Sequence, residues 1–537
     1  MYCASICLYF FLLSCTAWPA KADVFTALVD LQKLLHTEGE IIKTLEQYLK
    51  VEEQRLQKVR QLREDYGQMY QLASQDVDSF LANPVNAYLL VKRLSSDWKN
   101  AESLMLGGEG KNLIENITRK REDLKFPDNE DLNGAAVALL RLQDTYKLDT
   151  SNLAKGYIRG AKHSSELTAG DCFELGRQSY NNGDFYHTVL WMQEALERNE
   201  DEIEKTIDKA VILDYLSFST YMQGNTKHAL KLTNELIEID PDHPRARSNK
   251  VYFENALYTT EEKKKRGDDG DVPVEATYAE NKQPVSEVPE REKYEMLCRG
   301  EKLMSETEES KLKCHYFTNN HPYFLLQPLK EEEVFLKPRI VMYHDVLSNK
   351  EIEVVKILAA PRLKRATVQN SVSGELETAN YRISKSAWLT NQEHDVVARI
   401  SQRIEDLTGL TMSTAEELQV VNYGIGGHYE PHFDFARREE INAFKSLGTG
   451  NRIATWLNYM SDVEAGGATV FPHINVAVWP KKGSAAFWYN LFKNGEGDML
   501  TRHAACPVLA GSKWVSNKWI HERGQEFRRK CGLKFSD

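Results

Sequence analysis

The chain has 537 residues, room for three or four domains. Its composition, 42% hydrophobic and 27% charged, is that of globular protein. A formal charge of −11 excludes a general nucleic-acid binder, which would carry a basic footprint. The first 22 residues read as a signal peptide: an apolar core from Ile6 to Cys15, then the cleavage motif Ala20-Lys21-Ala22, although no Lys or Arg precedes the core. The core is too short to span a bilayer, and no later run is long and apolar enough, so no membrane span is expected. Asn116-Ile117-Thr118 is a glycosylation acceptor that suits a secretory route.

Residues 23–150 read as a helical N-terminal domain. Leu28, Leu35, Ile42, Leu49 and Leu56 recur in heptad steps. Leu31, Leu45 and Val59 fill the second seam, and Glu38 and Glu52 interrupt it. The pattern predicts a dimerising coiled coil, with an amphipathic helix packed inside its own domain as the competing reading. More helix is expected at Val85–Leu106 and Ala135–Tyr146. Residues 165–258 carry a tetratricopeptide-like grammar. Gly183-Asp184-Phe185 precedes Ala195-Leu196, and Gly224-Asn225 precedes Ala229-Leu230, at a spacing longer than the usual ~34 residues. Aromatic residues crowd this segment. Most are expected in the core, but tyrosines on a concave face would suit a proline-rich peptide already extended as polyproline II. Residues 259–290, rich in charge, Gly and Pro, read as a linker.

From 291 to 537 the pattern turns to short apolar runs bounded by Gly, Pro and Asn. It predicts a β-barrel or jelly roll, with helices at Asn349–Leu358 and Glu393–Leu407. The strand Leu418–Tyr423 runs into a glycine-rich bend and then His432-Phe433-Asp434. Residues two apart on a strand share a face, so His432 and Asp434 can hold one ion. With His503 they would form the facial triad of non-haem iron oxygenases. Lys513 follows on a later strand, and Tyr429, Phe433 and Phe435 would wall the site. Of eight cysteines, Cys172, Cys298, Cys314, Cys506 and Cys531 lie beyond the leader. The close pairs Cys298/Cys314 and Cys506/Cys531 are the expected disulfides, leaving Cys172 as a buried thiol.

The runs YEPHFDFAR, GTGNRIATWLNYMSDVEAGGATVFP, WPKKG, FWYN, RHAACPVL and KWVSNKWIHERGQEFRR resemble the catalytic domain of the collagen prolyl 4-hydroxylase α subunits, and the resemblance extends over most of the chain. It implies a double-stranded β-helix dioxygenase with Fe(II) held by His432, Asp434 and His503. Lys513 would bind the distal carboxylate of 2-oxoglutarate. Tyr423 would add a hydrogen bond there, and His521 would assist cosubstrate binding or decarboxylation. The implied reaction hydroxylates C4 of proline in Xaa-Pro-Gly sequences of procollagen. It consumes O2, converts 2-oxoglutarate to succinate and CO2, and uses L-ascorbate to rescue oxidised iron. Asp214, Tyr215, Arg245, Asn249 and Tyr252 match peptide-binding positions of the family. An α2β2 tetramer with protein disulfide isomerase, in the endoplasmic reticulum lumen, is also implied. That partner would supply the retention signal missing at Lys534-Phe535-Ser536-Asp537.

Two other readings differ in class or substrate. A non-catalytic reader of proline-rich chains would keep residues 165–258 active without a metal. A related hydroxylase would act on lysine or on non-collagen proline. The intact triad with Lys513 disfavours the first, and the aromatic helical segment disfavours lysine.

Overall fold

The computed structural model describes residues 53–106, 129–162, 164–265, 280–283, 290–369, 376–379, 381–424, 426–440 and 442–534. The heptad up to Glu52, Asn116 and the signal peptide lie outside them; residues 53–59 are helical. The chain divides into two compact units, Met1–Tyr70 with Asn100–Ile117, and Gln71–Lys99 with Thr118–Asp537. In the first, the described residues are helical at 53–70 and 100–105.

The second unit includes helices α1 (Pro84–Lys92) and α2 (Asn129–Tyr146). Two helical hairpins follow: α3 (Ala169–Asn181) with α4 (Phe185–Asp201), and α5 (Lys209–Met222) with α6 (Thr226–Ile239). Each start is fixed by a side chain that accepts from an early N–H of its helix: Thr168, Asp184, Asp208 and Asn225. Gly183 and Gly224 turn the hairpins at positive φ, where a Cβ would be strained. Helix α7 (Ala246–Lys265) runs into the expected linker, because its Glu- and Lys-rich end favours helix.

His187 of α4 fastens this repeat pair to α2. It lies 2.9 Å from Asp144 and 2.6 Å from Asp184. Burial alone would lower its pKa, but the two carboxylates overcome that and hold it at about 9. A raised folded-state pKa gives stability that is complete below the unfolded value of about 6.5 and lost as pH rises through about 9. His187→Gln should therefore cost about 1–3 kcal/mol near neutrality. Urea midpoints of wild type and variant should differ at pH 6.5 and converge by pH 10. A gap that stays constant with pH would exclude a charged His187.

The remainder is β-rich. Strands β1 (Cys314–Phe317), β2 (Leu329–Leu336), β3 (Arg339–His344), β4 (Lys364–Arg365), β5 (Arg382–Ile383), β6 (Lys385–Leu389), β7 (Leu418–Tyr423) and β8 (His428–His432) come first. Then come β9 (Arg452–Tyr459), β10 (Thr469–Phe471), β11 (Val476–Val478), β12 (Ala485–Tyr489), β13 (His503–Ala505) and β14 (Lys513–His521). A nine-stranded antiparallel sheet has the order β1-β2-β3-β12-β9-β14-β7-β6-β4, and a five-stranded one β11-β10-β13-β8-β5.

The period-2 alternation sorts side chains between two cores. Ile340, Met342, Ala486 and Trp488 face inward, joining Phe471, Val476 and Val478 of the small sheet. Val341, Tyr343, Ala485 and Phe487 face outward under two helices, Asn349–Ala359 and Asp395–Thr408. The outer face of the small sheet is covered by α2 and by α8 (Arg291–Cys298). Tyr294 and Leu297 share a core with Val470, Ala504 and Leu509.

That packing corrects both expected disulfides. Cys298 bonds to Cys506, with Cα atoms 5.5 Å apart, while Cys314 and Cys531 are free and exposed. The physical reason is tertiary. Cys298 ends α8 directly over the strand leaving His503, within disulfide reach, whereas Cys314 lies on β1 at the edge of the large sheet. Cys172 is a buried thiol, as its setting in a helical core requires.

Candidate active site

Two strands of the small sheet deliver the histidines. His432 ends β8 and pairs directly with His503 at the start of β13. Asp434 follows in the turn. Its carboxylate oxygens lie 3.7 Å from His432 Nε2 and 3.6 Å from His503 Nε2. The three ligand atoms lie within 4.8 Å of one another. Each imidazole is oriented from behind: His432 Nδ1 contacts the Glu430 carbonyl at 2.7 Å and His503 Nδ1 that of Thr501 at 2.9 Å. Donation from Nδ1 leaves each Nε2 lone pair free for a metal. Burial, aided by His503, pushes the His432 pKa well down, so that ring is neutral. Burial would raise Asp434, but His503, His432 and Arg452 overcome it and hold the carboxyl at about 2. Thr455 of β9 donates to Asp434 at 2.7 Å, and Asn490 donates to Thr455 at 2.9 Å. Two imidazole nitrogens and one ionised carboxylate converging on one point fit iron.

Lys513 opens β14, opposite Tyr423 of β7 in register. It is 1% exposed, and its ammonium finds no hydrogen-bond partner among the described residues. The ammonium lies over the face of the Tyr423 ring, 4.8 Å from its centre. A buried unpaired cation inside a barrel is a built receptor for a carboxylate. Burial also pushes the Tyr423 hydroxyl up to about 12, so it stays a hydrogen-bond donor.

His521 closes the same strand. Its ring meets the Gly450 carbonyl at 2.8 Å and Thr449 at 3.0 Å through Nδ1, and Glu416 at 2.9 Å through Nε2. Glu416 also takes a two-pronged bond from Arg452, at 2.5 and 3.0 Å. Burial raises Glu416, but Arg452 and His521 bring it to about 2. Arg452 stacks 3.9 Å from Trp519 and donates to the Asp434 backbone carbonyl at 3.3 Å. His521 thus reaches the metal turn through Glu416 and Arg452.

Sequence reasoning missed that relay and Thr455. Their only signals were an Arg and a Thr in a mostly apolar strand. It also missed Arg382, which lies 4.8 Å over Tyr429, whose ring in turn stacks 3.5 Å from His432. A cleft of about 1010 Å³ begins at Phe435, the residue after Asp434. The Phe435 ring packs so close to Gly497 that any side chain at that position would collide with it.

The expected peptide-binding residues gather in the repeat region. Arg245 pairs with the buried carboxylate of Asp214 and covers the Tyr215 ring at 5.8 Å. Tyr180, Phe173 and Phe218 extend the aromatic cluster. Asn249 lies one helical turn beyond Arg245, and exposed Tyr252 is bonded to Tyr221 at 3.2 Å.

A two-sheet barrel with this triad and this lysine defines an Fe(II)- and 2-oxoglutarate-dependent dioxygenase. The 2OG-Fe(II) oxygenase superfamily matches residues 418–521. The prolyl 4-hydroxylase peptide-substrate-binding domain matches 169–259, and the prolyl 4-hydroxylase alpha-subunit N-terminal region matches 27–160. Prolyl 4-hydroxylase subunit alpha-1 of Homo sapiens is 53% identical over 516 residues, 96% of each chain. Subunit alpha-2 of Caenorhabditis elegans is 51% identical over 520 residues, 96% of this chain and 94% of that one. Subunit alpha-2 of Gallus gallus is 48% identical over 529 residues, 98% of each. The chain belongs to the prolyl 4-hydroxylase α-subunit family.

Proposed function

We propose that the chain hydroxylates C4 of proline in Xaa-Pro-Gly sequences of procollagen, with oxidative decarboxylation of 2-oxoglutarate to succinate and CO2. The observation that carries this is the buried Lys513 ammonium, without a hydrogen-bond partner among the described residues, in the same barrel as the His432-Asp434-His503 triad. Iron held by these three residues would supply the activation of O2 and the oxidising power, with L-ascorbate as the reductant that would keep it Fe(II). The protein's part is orientation and exclusion of water. His432 and His503 present Nε2, Asp434 presents a carboxylate steadied by Thr455, and Lys513 pairs with the distal carboxylate of the cosubstrate. Tyr429, Trp488 and Phe471, whose rings pack against the two histidines, provide apolar walls that keep water from the reacting atoms.

The cluster around Asp214, Tyr215, Arg245, Asn249 and Tyr252 holds a proline-rich segment. Two linked sites on one long repetitive substrate raise the effective concentration of proline at the iron. The leader is removed, Asn116 carries a glycan, and the chain works in the endoplasmic reticulum lumen. There it forms an α2β2 tetramer with protein disulfide isomerase. The Cys298–Cys506 disulfide supports an oxidising compartment. No helix among the described residues is long and apolar enough to cross a membrane.

The test is a co-purified complex given a (Pro-Pro-Gly) repeat. The peptide should gain oxygen mass in step with CO2 release, and omission of iron or 2-oxoglutarate should stop both. Peptide binding without either product would instead identify a non-catalytic reader.

A further inference from the structure

The segment that joins the peptide-binding region to the barrel does more than connect them. Asn281 is pinned to the Tyr186 carbonyl of α4 at 3.0 Å. The chain then reaches Glu290, immediately before α8, and Glu290 grips Arg502 through three contacts of 2.6, 2.8 and 2.9 Å. Both side chains are largely shielded, at 15% and 26% exposed, so the fork is not a fully hydrated surface pair. Arg502 lies between Thr501, whose carbonyl orients His503, and His503 itself. Its guanidinium also covers the Phe433 ring at 5.2 Å, and Phe433 separates the other two ligands. One anchored side chain therefore bears on both ligand-carrying segments. The next residue, Arg291, faces Glu430 at 3.7 Å, and the Glu430 carbonyl orients His432. That second pair is more exposed and weaker. The far end of α8 is tied by Cys298 to Cys506, just beyond His503.

We propose that Glu290 and Arg502 are positioning residues for the iron. The bidentate fork sets the peptide orientation at Thr501–His503 and presses Phe433 into place, so that the two histidines and Asp434 converge without rearrangement when the metal enters. The physical cause is geometric: a planar guanidinium held by two oxygens has one orientation, which a flexible ammonium does not reproduce. Removing an outer partner of a metal ligand typically costs about 10–100-fold in affinity.

The test uses the full-length chain, depleted of metal, with Mn(II) binding followed by its paramagnetic resonance signal. No turnover is needed for that readout. Glu290→Gln and Arg502→Met should weaken Mn(II) binding about ten-fold or more. They should also raise KM for Fe(II) more than they lower kcat, while binding of a proline-rich peptide stays unchanged. Arg502→Lys, which keeps the charge and loses the fork, should still lose at least about two-fold, and the exchange Glu290→Arg with Arg502→Glu should recover much of the loss. If Arg502→Met proves unstable, Arg502→Lys decides. Mn(II) affinity equal to wild type in Arg502→Lys and Glu290→Gln would overturn the role, as would parallel loss of metal and peptide binding. A wild-type chain that binds no Mn(II) would instead overturn the metal reading on which this role rests.

Discussion

Replacing Asp434 by Ala will reduce peptide-dependent CO2 release from 2-oxoglutarate to background, and His432→Ala and His503→Ala will do the same. The carboxylate is the sole anionic ligand of the three, and it is buried between two imidazoles at 3.6 and 3.7 Å. Its low pKa, about 2 despite burial, keeps it ionised at any working pH. Without it, two histidines must hold a dication in a low-dielectric site with no anionic ligand, which is costly. Thr455→Val is the graded comparison. It removes the 2.7 Å donor to Asp434, together with the acceptor of Asn490, and should cost about 10–100-fold in metal affinity, recoverable in part by excess Fe(II). Turnover is measured as labelled CO2 with the Pro-Pro-Gly repeat. Undiminished release in all three alanine variants would refute the triad.

Lys513→Met will act in opposite directions on stability and on function. Burial pushes the ammonium down to about 7, and no group among the described residues hydrogen-bonds to it. The sign follows from linkage. The folded chain releases this proton near pH 7, while unfolded lysine keeps it to about 10.4. Between those values the unfolded state binds more protons, so stability measured without cosubstrate rises with pH. Methionine removes the buried charge, so the variant should unfold at higher temperature than wild type at pH 6, by the equivalent of about 1–3 kcal/mol, and should lose this part of the pH dependence. With 2-oxoglutarate the order reverses. Wild type gains stability from the paired carboxylate and Lys513→Met gains none, because the dicarboxylate no longer has a counter-charge. Thermal unfolding at pH 6 and 9, with and without 2-oxoglutarate, measures both effects. An equal 2-oxoglutarate shift in wild type and variant would show that another group binds the carboxylate.

What was legible in the sequence was local or periodic. His432 and Asp434 stand two apart in a strand-to-turn context, and alternation sorted Ile340 to Tyr343 and Ala485 to Trp488 into two faces. The Asp, Asn and Thr caps and the two turn glycines punctuated the repeat helices. The helix Asn349–Ala359 needed only a capping box, Ser348 with Glu351, and an apolar stripe. The linker boundary was harder, because charge-rich sequence suits both a solvated helix and a coil, and α7 continues through Lys265.

Sequence alone therefore determined the ligand types, the lysine and the order of helical and β regions, because each depends on a few neighbouring residues or on a short period. Only the tertiary structure decided which distant groups meet. Cys298 was expected to bond with its sequence neighbour Cys314, and instead joins Cys506 because α8 packs on the small sheet. Glu416, Arg452 and His521 form one network, and Glu290 reaches Arg502, across sequence separations that no local pattern encodes. Such pairings are set by sheet register and by which helix covers which face, and those follow from burying the whole apolar surface at once. His432-Phe433-Asp434 announces a metal in the sequence; the fold supplies the partners that orient it.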